Sequence, residues 1–167
     1  MYLVFLPSEK WKMDKENKEL FIDIGRKRIM LEKYRKNIEL LKQAVETDSV
    51  IRPIAKHRKP DGSLDIEGNL LLWNKALEPF EKTRLWEQGT PGFDDRDPLQ
   101  EEPYFVFVPA PDEEKCRGTI LVAHGGGFTW RTGTEGLNVA WYFHNAGFHT
   151  AILCYRLVPY TRFDAIA

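Results

Sequence analysis

The residues best suited to chemistry in this chain are His124 and the three glycines that follow it, Gly125, Gly126 and Gly127. They come directly after Thr119–Ala123, a short apolar run that predicts a buried strand ending in a tight loop. Because glycine has no Cβ, a ligand can approach the backbone N–H groups of such a loop closely. Amide donors arranged in this way suit an oxygen that carries negative charge. The pattern predicts an oxyanion loop, and the alternative is a glycine-rich turn in which His124 only caps the strand.

Two segments of the chain resemble the α/β-hydrolase family. Residues 124–128, His-Gly-Gly-Gly-Phe, are similar to the motif that follows the third strand in lipases and esterases. Residues 153–159, Leu-Cys-Tyr-Arg-Leu-Val-Pro, resemble the family's Tyr-Arg-Leu-Ala-Pro segment, and Phe163 and Ala165 extend the likeness. Within the family, the chain resembles the hormone-sensitive-lipase-like and acetyl-xylan-esterase-like carboxylesterases. The resemblance covers residues 85–167 and does not extend to the preceding part of the chain.

The resemblance implies a role for each residue of the loop. Gly126 and Gly127 would donate their N–H groups to the oxyanion, and the supporting residues would be His124, Gly125 and Phe128. A third donor would come from the residue after a serine nucleophile. No Gly-x-Ser-x-Gly motif occurs in the sequence, and the nucleophile, acid and base are expected beyond residue 167. The 167 residues alone are therefore expected to hydrolyse esters at or near the background rate.

The elements that must position this loop indicate an α/β fold. Strands over 83–87 and 104–108 would be the antiparallel opening pair of a partial α/β-hydrolase sheet. The strand at 119–123, a helix over 134–145 and a strand over 150–155 form a βαβ unit, whose strands should be parallel. A ligand in such a sheet binds at the carboxyl ends of the strands. The glycine loop occupies that position.

The first 80 residues are predicted to form a helical extension or cap that precedes the hydrolase portion at 81–167. One long helix is expected over 14–47, because apolar residues recur every seven positions, at Ile24, Leu31, Ile38 and Val45. Gly25 would kink or split this helix. Its heptads could support a coiled-coil partner, and the alternative is a stripe packed against the protein itself. A short strand and a helix ending near Pro79 are expected to follow.

Composition argues against several other classes of protein. The chain has 24 Lys and Arg residues, 25 Asp and Glu residues and a net charge of −1, so neither nucleic acid nor a membrane surface is an expected partner. No run approaches the roughly 20 apolar residues of a membrane helix, and a cytoplasmic location is the default expectation. Two cysteines make neither a disulfide framework nor a metal site. A small-molecule ester is the expected substrate, and no metal or organic cofactor is implied.

Other polar residues suggest different chemistry less strongly. Asp65 and Glu67 could be paired carboxylates for glycoside cleavage, but they lie near a turn. The aspartates within 94–97 lack the ligand spacing of a calcium loop. The histidines outside the loop are expected in structural positions or in an exposed turn: His57, His144 and His149.

The resemblance also predicts an open sheet edge. In the family, the third strand lies between the fourth and the fifth, and the fifth is not expected within these residues. Ile120 to Val122 would then form an apolar edge that recruits other chains, so self-association is expected there.

These observations together predict the N-terminal portion of a serine carboxylesterase that acts on short-chain or acetylated carbohydrate esters. Tyr160, where the family usually has an acidic residue, and Asp164, where proline is common, leave the subfamily open. The alternatives are a non-catalytic relic or binding protein of the same fold, and a module that interacts through its long helix.

Overall fold

A computed structural model describes residues 2–6, 11–14, 19–24, 27–93 and 98–158. Five of the described strands form one mixed sheet: β1 (Tyr2–Leu6), β5 (Lys82–Arg84), β6 (Tyr104–Val108), β7 (Thr119–Ala123) and β8 (His149–Cys154). Their order across the sheet is β1-β7-β8-β6-β5. Three more form a smaller antiparallel sheet: β2 (Trp11–Asp14), β3 (Glu19–Ile24) and β4 (Lys27–Met30).

The helices pack against the larger sheet. They are α1 (Lys36–Thr47), α2 (Ile51–Lys56), α3 (Ile66–Leu77) and a π-helical turn, Thr134–Asn138, that continues into α4 (Val139–Asn145). Side chains from the helices and the sheet share one buried core, which includes Leu41, Ile54, Trp73, Val106, Val122, Leu137 and Ile152. Within the described ranges, no helix combines the length and the apolar character needed to cross a membrane.

The central strands confirm the α/β fold class. β7 and β8 run parallel, from Thr119 opposite His149 to Ala123 opposite Leu153, and the connection between them contains α4. β6 pairs antiparallel with both β8 and β5. All five residues of β6 are buried, which explains why this strand reads as a continuous apolar run. The expected antiparallel strands and parallel βαβ unit are therefore present.

The long helix predicted over residues 14–47 is wrong in its first half. Residues 19–24 and 27–30 are paired strands, with Ile24 opposite Lys27, and a helix occupies only Lys36–Thr47. The apolar residues before Leu31 are mainly aromatic and β-branched types, which favour strands. Gly25, expected to kink the helix, lies outside the described residues. The interaction module that needed this helix loses its basis.

The predicted open edge of β7 is also wrong. β1 pairs antiparallel along the whole strand, from Tyr2 opposite Ala123 to Leu6 opposite Thr119. The apolar N-terminal residues 2–6 supply the covering strand, and their pairing spans more than 100 positions of the chain, which no local pattern reveals. Among the described strands, the outer strands of the large sheet are β1 and β5.

Residues 51–80 match their prediction only in part. α3 ends at Leu77, two positions before Pro79, as expected, whereas α2 was not expected. The expected short strand is a single isolated bridge between Arg58 and Leu64. The boundary at residue 80 stays a prediction, although side chains on both sides of it share the core.

Candidate functional site

The two sequence motifs meet at the carboxyl end of the parallel pair. His124 follows β7, Tyr155 follows β8, and their rings stack with centroids 4.7 Å apart. The Tyr155 hydroxyl donates a hydrogen bond of 2.7 Å to the His124 carbonyl oxygen. Farther along, the Val158 N–H donates to the Phe128 carbonyl oxygen at 2.8 Å. The segment after β8 therefore fixes both ends of the glycine loop.

The backbone of the loop requires glycine at position 126. Gly126 has φ +129°, and a Cβ placed there would lie 1.8 Å from the Trp130 carbonyl oxygen. Gly127 has φ +60° but open space around a Cβ position. Phe128 also has a positive φ, +58°, which is uncommon for a bulky residue and costs free energy. A tight, left-handed turn thus presents residues 126–128.

Gly125 has both of its backbone groups bonded within the protein. Its N–H donates to Oε2 of Glu135 at 2.9 Å. Its carbonyl oxygen accepts from Nδ1 of His124 at 2.8 Å and from the Thr132 hydroxyl at 3.0 Å. This glycine is part of the support of the loop.

The N–H group of Gly126 is open. It has no acceptor among the described residues. In a trans peptide the C=O and N–H groups point to opposite sides of the chain. Because the Gly125 carbonyl faces His124, whose side chain is buried, the Gly126 N–H faces away from that ring.

The N–H group of Gly127 is open for a related reason. The Gly126 carbonyl accepts from the N–H groups of Thr129 at 3.0 Å and Trp130 at 3.2 Å, which closes the turn. The Gly127 N–H, on the other side of that peptide, lies outside the turn and has no acceptor in the described part of the chain. Gly127 is exposed to solvent. Two adjacent amides are thus available as donors.

His124 is neutral and has no free nitrogen. Its Nδ1 is 2.8 Å from the Gly125 carbonyl oxygen, and its Nε2 is 3.1 Å from a terminal nitrogen of Arg131. Burial, and then the charge of Arg131, lower the pKa of His124 to about 3. A histidine in this state orients the backbone and does not act as a general base.

Two further histidines make backbone contacts in the core. His149 Nδ1 accepts from the Ala110 N–H at 2.7 Å, and burial lowers the pKa of His149 to about 3. His144 Nδ1 donates to the Pro109 carbonyl oxygen at 2.8 Å, and burial lowers its pKa too. Both sets of contacts are structural, in agreement with the expectation for these positions.

The carboxylates considered for other chemistry differ in their surroundings. Asp65 caps α3 by accepting from the Gly68 N–H at 3.0 Å, and its other oxygen lies 2.9 Å from Nε2 of His57. Bonding to the Gly68 N–H lowers the pKa of Asp65. Glu67 is exposed on α3. The aspartates at 94–97 lie outside the described residues.

Sequence reasoning missed the two residues that hold the far end of the loop. The Asn69 side chain, fully buried, donates to the carbonyl oxygens of Arg131 at 2.9 Å and Ile54 at 3.2 Å and accepts from the Arg131 N–H at 2.9 Å. Arg131 is 3 % exposed, and its guanidinium lies 5.6 Å from the Trp73 ring. Asn69 and Arg131 are 62 positions apart, so no local signal in the sequence connects them.

The second motif is anchored by buried polar groups. Arg156 is 1 % exposed and donates to the Pro91 carbonyl oxygen at 2.7 Å. The Gln100 side chain accepts from the Leu157 N–H and donates to the Val158 carbonyl oxygen, both at 2.7 Å. The rest of the motif lies outside the described residues: Pro159, Tyr160, Phe163, Asp164 and Ala165.

Neither described serine is hydrogen-bonded to a histidine. The sequence has three serines, of which Ser8 is undescribed. The Ser49 hydroxyl contacts that of Thr47 at 2.9 Å, and the Ser63 hydroxyl donates to Asp61 at 2.6 Å. Among the described residues, no group of three or more His, Cys, Asp or Glu side chains is arranged to hold a metal ion.

Comparison with known proteins gives a partial likeness to a solved structure. No family model matches the chain, and no curated protein matches it. Among solved structures, the chain is similar to the crystal structure of an acetyl ester-xyloside bifunctional hydrolase from Caldicellulosiruptor lactoaceticus, with 27 % sequence identity and a TM-score of 0.45. The likeness covers 52 % of this chain and 31 % of that one, so the chain spans less than a third of the length of that hydrolase.

Proposed function

We propose that this chain provides the oxyanion-binding part of a serine ester hydrolase of the α/β-hydrolase type. In this proposal, the N–H groups of Gly126 and Gly127 bind the oxygen that becomes negatively charged in the tetrahedral intermediate. The observation that carries the proposal is the pair of adjacent amides without acceptors among the described residues, at the carboxyl end of a parallel strand. The resemblance of both motifs to the family supports it, because those motifs meet in space.

The chemistry of ester cleavage explains why open amides matter. When a hydroxyl group attacks an ester carbonyl, the carbonyl oxygen takes the negative charge, and donors already in place stabilise it without reorganising. Each such donor contributes a factor of about 10² to 10³ in rate. Gly125 is excluded from this role because Glu135 accepts its N–H.

The remaining groups of the reaction belong, in the proposal, to residues beyond residue 167. A serine nucleophile, a histidine base, an acid and a third donor complete a site of this type. His124 cannot supply the base because both of its nitrogens are engaged. The proposed substrates are short-chain or acetylated carbohydrate esters, and this mechanism needs no metal or organic cofactor.

Binding of an anionic tetrahedral mimic tests the proposal in the chain as it exists. The O-ethyl methylphosphonate anion has the shape and charge of the intermediate formed from an acetate ester. We expect the Gly126 and Gly127 amide resonances to shift together and saturably as it is added. The Gly89 amide, in another exposed turn with positive φ, is the control and should not shift. Equal shifts at all three glycines, or none at Gly126 and Gly127, would contradict the proposal.

Turnover of 4-nitrophenyl acetate tests where the nucleophile lies. The 167-residue chain is expected to hydrolyse this ester at background, because an oxyanion site without its nucleophile retains only a residual acceleration. Stoichiometric, saturable turnover by this chain would contradict the assignment. Extending the reading frame past Ala167 separates the alternatives: a Gly-x-Ser-x-Gly motif supports the enzyme, whereas a stop codon supports the non-catalytic relic or binding protein.

A further inference from the structure

We propose that Arg131 is a positioning residue for the oxyanion loop. Its guanidinium holds His124 in the tautomer with the proton on Nδ1, and that imidazole holds the Gly125 carbonyl so that the Gly126 N–H faces outward. This inference deepens the proposed function and rests on it, because it concerns the direction of one of the two proposed donors.

The tautomer follows from what the two partners of His124 can do. A guanidinium only donates hydrogen bonds, so Nε2, 3.1 Å from the terminal nitrogen of Arg131, has to accept. A carbonyl oxygen only accepts, so Nδ1, 2.8 Å from the Gly125 oxygen, has to carry the proton. Both contacts require the same neutral tautomer. If Arg131 could not donate, only the Gly125 contact would favour it.

Arg131 is an unusual residue to bury here. Its side chain is almost fully buried, and no carboxylate among the described residues forms an ion pair with it. Its Nε has no hydrogen-bond partner in the described part of the chain. Burying a cation without an acid is costly, and an apolar side chain of similar size would stabilise the fold better. Stability alone therefore does not account for the arginine, whereas a role in orienting His124 does.

The effect reaches Gly126 through one peptide plane. The Gly125 carbonyl has two donors, His124 Nδ1 and the Thr132 hydroxyl. If the His124 proton moves to Nε2, Nδ1 becomes an acceptor that repels the carbonyl oxygen. The peptide between Gly125 and Gly126 is then held only by the Thr132 hydroxyl, and its rotation carries the Gly126 N–H away from its outward direction.

The test uses three variants and three readouts. Arg131→Met removes the donor, Arg131→Lys keeps a positive group that only donates, and Thr132→Val removes the other bond to the Gly125 carbonyl without touching His124. The readouts are the His124 ring nitrogen resonances, the affinity for O-ethyl methylphosphonate and the midpoint of urea unfolding. Arg131→Gln replaces Arg131→Met if the latter does not fold, because its amide can donate or accept and so permits both tautomers.

The expected results separate positioning from simple structural support. The native chain and Arg131→Lys should show His124 only with the proton on Nδ1, and Thr132→Val should show the same. Arg131→Met should show a mixture of tautomers and an affinity about tenfold weaker, the worth of one hydrogen bond to a charged group. Its urea midpoint should be unchanged or higher, since a buried charge is removed.

Two outcomes overturn the inference and leave the proposed function in place. These are a native His124 with the proton on Nε2, and a tautomer that Arg131→Met does not alter while the phosphonate still shifts Gly126 and Gly127. The opposite outcome, a tautomer that follows Arg131 with no phosphonate binding by the native chain, supports the positioning of the loop and overturns the proposed function.

Discussion

The two ends of the parallel pair β7–β8 are built from similar parts but leave their amides in different states. At the amino end, the His149 N–H donates to the Gly118 carbonyl oxygen and the Arg117 N–H donates to that of Gly147, both at 2.9 Å. The Ala110 N–H meets the His149 ring. Each of these N–H groups has an acceptor within the protein.

The carboxyl end contains a buried histidine and glycines with positive φ as well, yet Gly126 and Gly127 have no acceptor among the described residues. Loops at strand ends can clearly satisfy their amides in this fold, because the amino end does so. The open donors at the other end are therefore a feature that folding does not demand. This contrast is the physical basis for the proposed role of the glycine loop.

The largest expected effect on stability comes from replacing a glycine by alanine, and it should differ between the two ends of the β7–β8 pair. Gly126→Ala places a Cβ 1.8 Å from the Trp130 carbonyl at φ +129° and should lower the free energy of unfolding by about 4 kcal/mol. Gly147→Ala, at φ +87° and 3.5 Å from the Arg117 side chain, should cost about 1–2 kcal/mol. Urea denaturation measures both. Equal costs would mean that the loop is not as tight as its geometry indicates.

Acidification should lower the stability of the protein through a buried histidine at each end of the β7–β8 pair. His124 and His149 have pKa values lowered from 6.5 to about 3, so below pH 6.5 the unfolded chain binds more protons than the folded one. Stability present above pH 6.5 is therefore lost as the pH falls. Between pH 6.5 and pH 5 we expect a loss of about 1.5 kcal/mol for each histidine, or about 3 kcal/mol together. His144, whose pKa is also lowered, adds to the loss. The measurement is the free energy of unfolding in urea at several pH values across this range. A value that does not change with pH would mean that unfolding takes up no protons, and would contradict the burial of these rings.

A matched pair of buried asparagines distinguishes a general loss of stability from a specific effect on the glycine loop. Asn37 and Asn69 are both fully buried and each makes three hydrogen bonds to backbone. Replacing either by Ala should cost about 2 kcal/mol, because backbone groups lose their partners. Only Asn69→Ala should also shift the Gly126 and Gly127 amide resonances, since Asn69 holds Arg131. Shifts of equal size in both variants would show that the loop responds to any loss of stability.

The smallest expected difference in stability is between two threonine-to-valine variants. The Thr132 hydroxyl bonds the Gly125 carbonyl oxygen at 3.0 Å, so Thr132→Val should cost about 1 kcal/mol. Thr150, buried near the amino end of β8, has a hydroxyl without a hydrogen-bond partner among the described residues, and Thr150→Val should be neutral or slightly stabilising. Thermal unfolding of the two variants side by side measures the difference. A greater loss for Thr150→Val would reverse the assignment of these hydroxyls.

Local patterns predicted the elements whose causes are local. The bounds of β6 and β7 agree with prediction because each is an apolar run that ends at proline or at the glycine loop. The helix over residues 14–30 was mistaken because Ile24, which lies in β3, happens to fall seven positions before Leu31 and so continues the spacing of Ile38 and Val45 in α1. The pairing of β1 with β7 was missed because its partners are far apart in the chain.

The residues of the candidate site also fall into those that a local pattern indicates and those that it does not. The glycines and His124 were identifiable from adjacent residues, since their chemistry depends on a contiguous loop. Asn69 and Arg131 were not identifiable, because what they do depends on contacts made only when α3 packs beside the loop. Sequence alone could indicate the two candidate donors but not the side chains that orient their loop.

Amide hydrogen exchange at the three consecutive glycines tests directly whether the loop has open donors. Gly125, whose N–H is bonded to Glu135, should exchange slowly, whereas Gly126 and Gly127 should exchange at nearly the rate of an unprotected amide. Protection of Gly126 and Gly127 equal to that of Gly125 would show that acceptors already occupy their N–H groups, and would contradict an oxyanion-binding loop.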